Sequence, residues 1–151
     1  MCIRDRFSLV QPEVAVFGEK DYQQLLVVQR LVEDLSLPIK IISAETQRES
    51  DGLAISSRNQ YLDESERKKA PELYAVLQSM RNEILNDADD YGELEENAVF
   101  DLERIGFAPE YISVRKADDL GEPEPGDRKL VILAAVYLGE TRLIDNVTVN
   151  L

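Results

Sequence analysis

Val14-Ala15-Val16-Phe17-Gly18-Glu19-Lys20-Asp21-Tyr22-Gln23-Gln24, continued through Leu35 to Pro38-Ile39-Lys40-Ile41-Ile42-Ser43, decides the fold class. Val14 to Phe17 is a short, wholly apolar run ended by Gly18, which reads as a buried strand. From Glu19 the period changes. Tyr22, Leu25, Leu26, Gln29, Leu31, Val32 and Leu35 trace a helical stripe. A second apolar run, Ile39 to Ser43, completes strand, helix, strand within about 30 residues, the length of a βαβ crossover between parallel strands. Parallel strands need neighbours on both faces, so residues 7–44 read as the end of a larger α/β domain.

Upstream, Phe7-Ser8-Leu9-Val10 reads as the last turn of a helix stopped by Pro12. Residues 1–6, Met1-Cys2-Ile3-Arg4-Asp5-Arg6, show no usable period and are expected to be a foreign leader or start scar outside the fold. Downstream, residues 45–151 read as an α+β unit. Its first stretch, 44–60, is polar and irregular, as in a loop or linker. Asp63 followed by Glu66 opens a helix carrying Ala70, Leu73, Leu77, Met80, Ile84 and Leu85 to about Asn86, with Pro71 as a possible kink. A second helix runs from Leu94 through Ala98, Leu102 and Ile105 to Gly106. Three strands follow at Tyr111–Arg115, Leu130–Tyr137 and Arg142–Val149, the last two turning around Gly139-Glu140 in an antiparallel sheet.

Composition narrows the chemistry. Among 151 residues there is no histidine, and 30 acids against 17 bases give a formal net charge of −13. Ser-His-Asp and Cys-His nucleophile arrangements, histidine-ligated zinc and imidazole as a general base are excluded for these residues. Phosphate-backbone binding needs a cationic surface, so no nucleic-acid partner is expected. No run approaches about 18 consecutive apolar residues, so no membrane span is expected. The single Cys2 cannot form an internal disulfide, and a cytoplasmic location is expected.

Two clusters stand out against the acidic background. Gly18-Glu19-Lys20-Asp21 lies at the carboxyl end of a parallel strand where ligands of open α/β sheets bind. Gly18 lets backbone approach a ligand, helix amides favour an anion, and Lys20 adds a full charge, with Gln24 four residues on along the same helix face. The same residues also fit a plain glycine turn with Glu19 and Asp21 placed to suit the helix dipole. The second cluster is Asp51-Gly52-Leu53-Ala54-Ile55-Ser56-Ser57-Arg58-Asn59, whose two hydroxyls, guanidinium fork and amide could wrap a triphosphate. It equally fits an ordinary loop whose serines satisfy backbone groups. The acidic stretch from Asp87 to Glu103 reads as solvated surface, and no residue is assigned as a metal ligand.

Phe17-Gly18-Glu19-Lys20-Asp21-Tyr22-Gln23-Gln24, Asp51 to Leu62 and Leu138-Gly139-Glu140-Thr141-Arg142-Leu143-Ile144-Asp145-Asn146, in that order, closely resemble the pantothenate synthetase (pantoate:beta-alanine ligase) family. The resemblance runs from Phe7 to Leu151 and implies the end of a Rossmann-like nucleotidyltransferase domain followed by a small α+β lid domain. It further implies ATP-dependent condensation of pantoate with beta-alanine through pantoyl adenylate, with ATP as substrate and Mg²⁺ alongside, in a cytoplasmic homodimer. By that likeness Gly18 and Asp21 hold the ribose beside Glu19, Lys20 holds the phosphates, and Gln24 meets pantoate. Ile55, Ser56, Ser57 and Arg58 form the phosphate-binding loop, with Lys20, Ser56, Ser57 and Arg58 as the catalytic set, and Gln47 gives main-chain contacts to adenine. The family often carries Met or Leu where Ile55 stands. Its preceding part, with a His-x-Gly-His motif, is not in this sequence, so the chain is expected to be a carboxy-terminal fragment inactive alone. The competing expectation is a non-catalytic lid domain with a nucleotide-binding or interaction role of its own.

Overall fold

A computed structural model describes residues 2–151 and divides the chain into two compact units, one ending at Thr46 and the other running from Gln47 to Leu151. The architecture is mixed α/β, with a two-stranded parallel pair in the first unit and a separate three-stranded antiparallel sheet in the second.

The first unit contains α1 (Ile3–Val10), β1 (Val14–Gly18), α2 (Tyr22–Asp34) and β2 (Lys40–Ala44). β1 and β2 pair in parallel from Val14 opposite Lys40 to Gly18 opposite Ala44, as the strand-helix-strand pattern requires. α1 takes up four of the six residues expected to stand outside the fold. Its period was illegible because Phe7 is its one buried side chain, packed edge-on against Phe17 with ring centroids 6.3 Å apart. α2 buries Leu25 and Val28 and ends without a glycine. Ser36 adopts the left-handed conformation (φ 47°) and donates to the Glu33 carbonyl, while Leu37 N–H reaches back to the Val32 carbonyl at 2.9 Å. That is a Schellman closure with serine in the place glycine usually holds, and Pro38 then forbids further helix. The parallel pair remains thinly covered. Val16 is 61% exposed, and Val14 and Ile42 are also exposed.

The second unit starts with a tight hairpin over residues 47–55 and a 3-10 turn at Ser57–Tyr61, where the sequence suggested only an irregular linker. α3 (Glu64–Lys69), α4 (Glu72–Leu85) and α5 (Tyr91–Ile105) follow, then β3 (Ala108–Lys116), β4 (Lys129–Leu138) and β5 (Thr141–Asn150) in sheet order β3-β4-β5. The helix expected to be continuous from Asp63 to Asn86 is two helices. Pro71 has no N–H for the helical ladder and its ring opposes the carbonyl one turn back, so α3 stops at Lys69 and α4 restarts beyond the proline. Asp63 makes the expected capping box with Glu66, their two bonds measuring 2.8 and 3.0 Å. α5 begins at Tyr91, earlier than its apolar stripe suggested, because Asp90 caps the Glu93 amide at 3.0 Å. Gly106 at φ 111° ends it as expected.

Leu73, Leu77, Met80 and Ile84 of α4, with Leu94, Ala98 and Leu102 of α5, pack onto Leu130, Ile132, Ala134 and Val136 of β4 and their neighbours on β3 and β5. Helix side chains also cover backbone groups at both sheet edges: Glu95 accepts from Val114 N–H at 2.7 Å, and Arg81 donates to the Thr148 carbonyl at 3.3 Å.

The β4–β5 turn places Gly139 at φ 57°, and a Cβ there would run into the Glu66 carboxylate that closes the capping box. Gly139→Ala should therefore lose both left-handed freedom and the cap, about 2 kcal/mol in urea unfolding. Amide exchange should divide the strands, with Val131 to Val136 the most protected and Val16 and Ile42 far faster. Equal protection in β1 and β4 would contradict the burial pattern.

Candidate functional site

In the first unit the candidate residues cluster where β1 runs out. Gly18 closes the strand in extended conformation (φ −74°, ψ 137°), and Glu19, Lys20 and Asp21 form one 3-10 turn before α2 begins. Neither backbone angle nor packing demands glycine at position 18, since a Cβ built there meets nothing within 4 Å. The open space is on the exposed strand end, where a ligand could lie against the main chain. Asp21 is non-helical (φ −92°, ψ 60°) and its carboxylate does not cap α2. Lys20 and Gln24 therefore do not share a continuous helix face: the 3-10 turn interrupts the four-residue relation expected of them. They remain consecutive elements of one turn and one helix start.

In the second unit the candidate loop is built on the hairpin. Arg48 and Ala54 form an antiparallel bridge, Glu49 N–H donates to the Leu53 carbonyl at 2.8 Å, and Ile55 N–H donates to the Gln47 carbonyl at 2.9 Å. Gln47 and Ile55, eight positions apart in the sequence, are thus directly bonded. Ser56 accepts from Arg58 N–H at 3.2 Å and starts the 3-10 turn, which uses one serine in the way an ordinary loop would. Ser57 and Arg58 remain exposed, and Ile55 is 52% exposed despite its apolar side chain. Asn59 anchors the turn through Nδ2 to the Ala54 carbonyl at 3.1 Å, leaving its buried Oδ1 without a partner among the described residues.

Arg58 lines an open cleft of about 670 Å³ with Tyr61, Asp63, Glu66, Glu140, Thr141 and Arg142. Its Nη1 reaches the Arg142 carbonyl at 3.5 Å, and it forms no salt bridge among the described residues. The other guanidiniums around it are spoken for. Arg142 Nε donates to Glu110 Oε2 at 2.6 Å, and this bond foremost holds the Arg142 guanidinium above its usual range. Arg67 donates to Asp51 Oδ2 at 2.6 Å and holds that carboxyl below the ordinary aspartate value. Because the folded value is the depressed one, this pair's contribution is present above the unfolded pKa and fades as pH falls through the folded one.

Sequence reasoning missed Arg48. It lies at the foot of the hairpin and meets Asp145 of β5 in a bidentate ion pair of 2.6 and 2.9 Å, its guanidinium 3.6 Å above the Tyr74 ring. The signal was present in Asp145, a carboxylate spaced among inward-facing Leu143, Val147 and Val149. A charge in a core register demands a cation from somewhere else in the chain.

Comparison with known proteins matches this assembly of parts. Residues 2–148 match the family described as pantoate-beta-alanine ligase. The pantothenate synthetase of Ectopseudomonas mendocina is 52% identical over 145 residues, which are 96% of this chain and 51% of that protein. That of Idiomarina loihiensis is 51% identical over 144 residues, 95% of this chain and 51% of its own length. The crystal structure of pantothenate synthetase from Thermus thermophilus aligns with a TM-score of 0.87 at 40% identity, over 96% of this chain and 52% of that one. The pantoate-beta-alanine ligase of Francisella tularensis, complexed with beta-gamma ATP and beta-alanine, aligns at 0.72 and 30% identity over 96% and 47%. The chain spans about half the length of the curated relatives it matches. With the strand-end turn, the serine-arginine loop and the β4–β5 turn all inside the matched residues, this chain belongs to the pantoate-beta-alanine ligase family.

Proposed function

We propose that this chain supplies the carboxy-terminal portion of an ATP-dependent ligase that joins pantoate to beta-alanine through a pantoyl-adenylate intermediate. The observation that carries the reading is the family match across residues 2–148, which spans both candidate clusters. In the first step a pantoate carboxylate oxygen attacks the α-phosphorus of ATP and pyrophosphate leaves. In the second the beta-alanine amine attacks the acyl carbon, AMP leaves, and the amine proton passes to solvent.

The roles are those that the family likeness implies for each position. Gly18 and Asp21 hold the ribose, beside Glu19, and the open space over Gly18 supports a ligand lying on the main chain. Lys20 meets the phosphates, Gln24 meets pantoate, and Gln47 turns its main chain to adenine. Ile55, Ser56, Ser57 and Arg58 wrap the triphosphate. Arg58 makes no salt bridge among the described residues, which supports this, because its charge is available to offset that building on the pentacoordinate phosphorus and departing pyrophosphate. Such catalysis is positioning plus electrostatics and asks no proton transfer of these residues. Mg²⁺ would neutralise further phosphate charge. Among the described residues no group of three or more histidine, cysteine, aspartate or glutamate side chains is placed to hold a metal ion. We read the complete enzyme as a cytoplasmic homodimer, with residues 45–151 as its lid and residues 7–44 as the end of its Rossmann-like domain. No described helix is long and apolar enough to cross a membrane. The 151-residue chain alone is expected to be inactive.

A fusion of the amino-terminal half of the Ectopseudomonas mendocina relative to this chain tests the reading. It should release pyrophosphate only with pantoate and form pantothenate only when beta-alanine is added. Lys20→Ala and Arg58→Ala should each slow pyrophosphate release by about 10² or more, the scale of a lost charge-stabilising donor. Gly18→Ala should raise the KM for ATP without lowering the melting temperature. Undiminished release in both cation variants removes the site assignment, and a fusion without pantoate-dependent release removes the reading itself.

A further inference from the structure

The hairpin ahead of the phosphate loop is held by a cation that a phosphate cannot use. Arg48 Nη1 donates to Asp145 Oδ2 at 2.6 Å and to the Gly52 carbonyl at 3.0 Å. Nη2 donates to Asp145 Oδ1 at 2.9 Å and approaches the Asn146 carbonyl at 3.5 Å. One face of the guanidinium is covered by Tyr74. Its charge is neutralised and its donors are committed within the protein, in contrast to Arg58. We infer that Arg48, Asp145 and Tyr74 act together as a positioning unit for Ser56, Ser57 and Arg58, an inference that rests on the phosphate-loop reading above.

The connection runs through backbone. The bidentate pair pins Arg48 to β5, the Arg48–Ala54 bridge closes the hairpin, and Ile55 N–H bonds to the carbonyl of Gln47, the residue before Arg48. The loop thus departs from a point fixed on the sheet. Its far side is fixed as well, by Asn59 on the Ala54 carbonyl and by Arg58 on the Arg142 carbonyl of β5. Tyr74 joins the two halves of the device. Gly52 stands at φ 96° with its missing Cβ only 2.9 Å from the Tyr74 ring, so the same ring meets the hairpin tip and the guanidinium. A lysine could pair with Asp145 but could not supply two parallel bonds, reach Gly52 and stack on Tyr74 together.

A positioning role separates from plain stabilisation by kinetics, since a displaced donor harms the transition state more than ground-state binding. In the fusion enzyme, Asp145→Asn should lower kcat for pyrophosphate release by about 10²-fold, the cost of a displacement of about 1 Å, while the KM for ATP moves by less than about threefold. Arg48→Lys should behave likewise rather than rescue. In the 151-residue chain, Tyr74→Leu should speed amide exchange at Gly52 and Ile55 by about tenfold while the β4 amides of Leu133 and Val136 keep their protection. This exchange measurement decides the matter should Asp145→Asn not fold. A kcat within twofold of the unsubstituted fusion in Asp145→Asn, or unchanged exchange at Gly52 and Ile55 in Tyr74→Leu, overturns the inference. Failure of the readings beneath it is distinguishable: without pantoate-dependent release in the fusion the functional reading falls, with Lys20→Ala and Arg58→Ala both fully active the phosphate-loop assignment falls, and only with Arg58→Ala impaired and Asp145→Asn unimpaired does this inference fall alone.

Discussion

The inward face of β5 runs Leu143, Asp145, Val147, Val149, and its second member is a carboxylate only 4% exposed. A lone carboxylate in that setting would cost several kcal/mol. The second unit is arranged around its remedy. Ala134, opposite Asp145 on β4, is small, Tyr74 of α4 offers a ring face, and the hairpin after Gln47 brings Arg48 across to make both carboxylate bonds. Breaking such a pair costs about 3–5 kcal/mol, yet an apolar pair of similar volume is often at least as stable. What the ion pair adds is direction. A bidentate guanidinium with a carbonyl and a ring also engaged has one orientation, and a leucine in its place would have no reason to hold the hairpin at one angle.

The two units solve burial in different ways. In the second, three antiparallel strands and two long amphipathic helices are enough to bury a continuous core, and helix side chains bond exposed edge groups of the sheet. In the first, α1, a parallel pair and one crossover helix bury, among the described residues, only Phe7, Leu25 and Val28 fully and leave β1 apolar groups in water. Parallel ladders are built for sheets covered on both sides, and two strands cannot provide that cover. The strand end that presents Gly18 to Asp21 thus belongs to the less stable unit, whereas Ser56 to Arg58 stand on the more stable one.

Most elements were legible because their periods were clean: the βαβ run, the Gly106 stop, the Asp63 capping box and the three final strands all follow from local rules. The misses share a cause, which is contact between residues distant in sequence. α1 is stabilised by Phe7 on Phe17, a pairing between a helix and the strand after it that neither element's own period shows. Residues 47–55 look like a linker because their order comes from Asp145, nearly a hundred positions on. Pro71 is visible in the sequence, but a kink and a break differ only in whether the following helix finds its own packing, and α4 does. In the candidate site, the residue types were readable and their local geometry was not: the 3-10 turn at Glu19 breaks the helical relation between Lys20 and Gln24. Arg48 was overlooked because a cation in a polar stretch resembles any surface arginine until its partner is known.

The charge pattern gains meaning from this partition. In a chain of net charge −13, a basic side chain finds a carboxylate easily, and Arg48, Arg67, Arg115 and Arg142 all do. Each such pairing holds the fold and removes a cation from service to a ligand. Arg58 makes no such pair among the described residues, with Asp63, Glu66 and Glu140 lining the same cleft: the Asp63 and Glu66 carboxylates each accept the other's backbone N–H in the capping box at the start of α3, and Arg142 takes Glu110. Two of the three acids lining the cleft accept backbone amides, which fixes their orientation and leaves their charge in place. An acidic protein without histidine can keep a guanidinium out of ion pairs in this manner, by engaging neighbouring carboxylates with backbone amides and other arginines. The freedom of Arg58 from an ion pair therefore depends as much on where its neighbours' bonds go as on its own position in the loop.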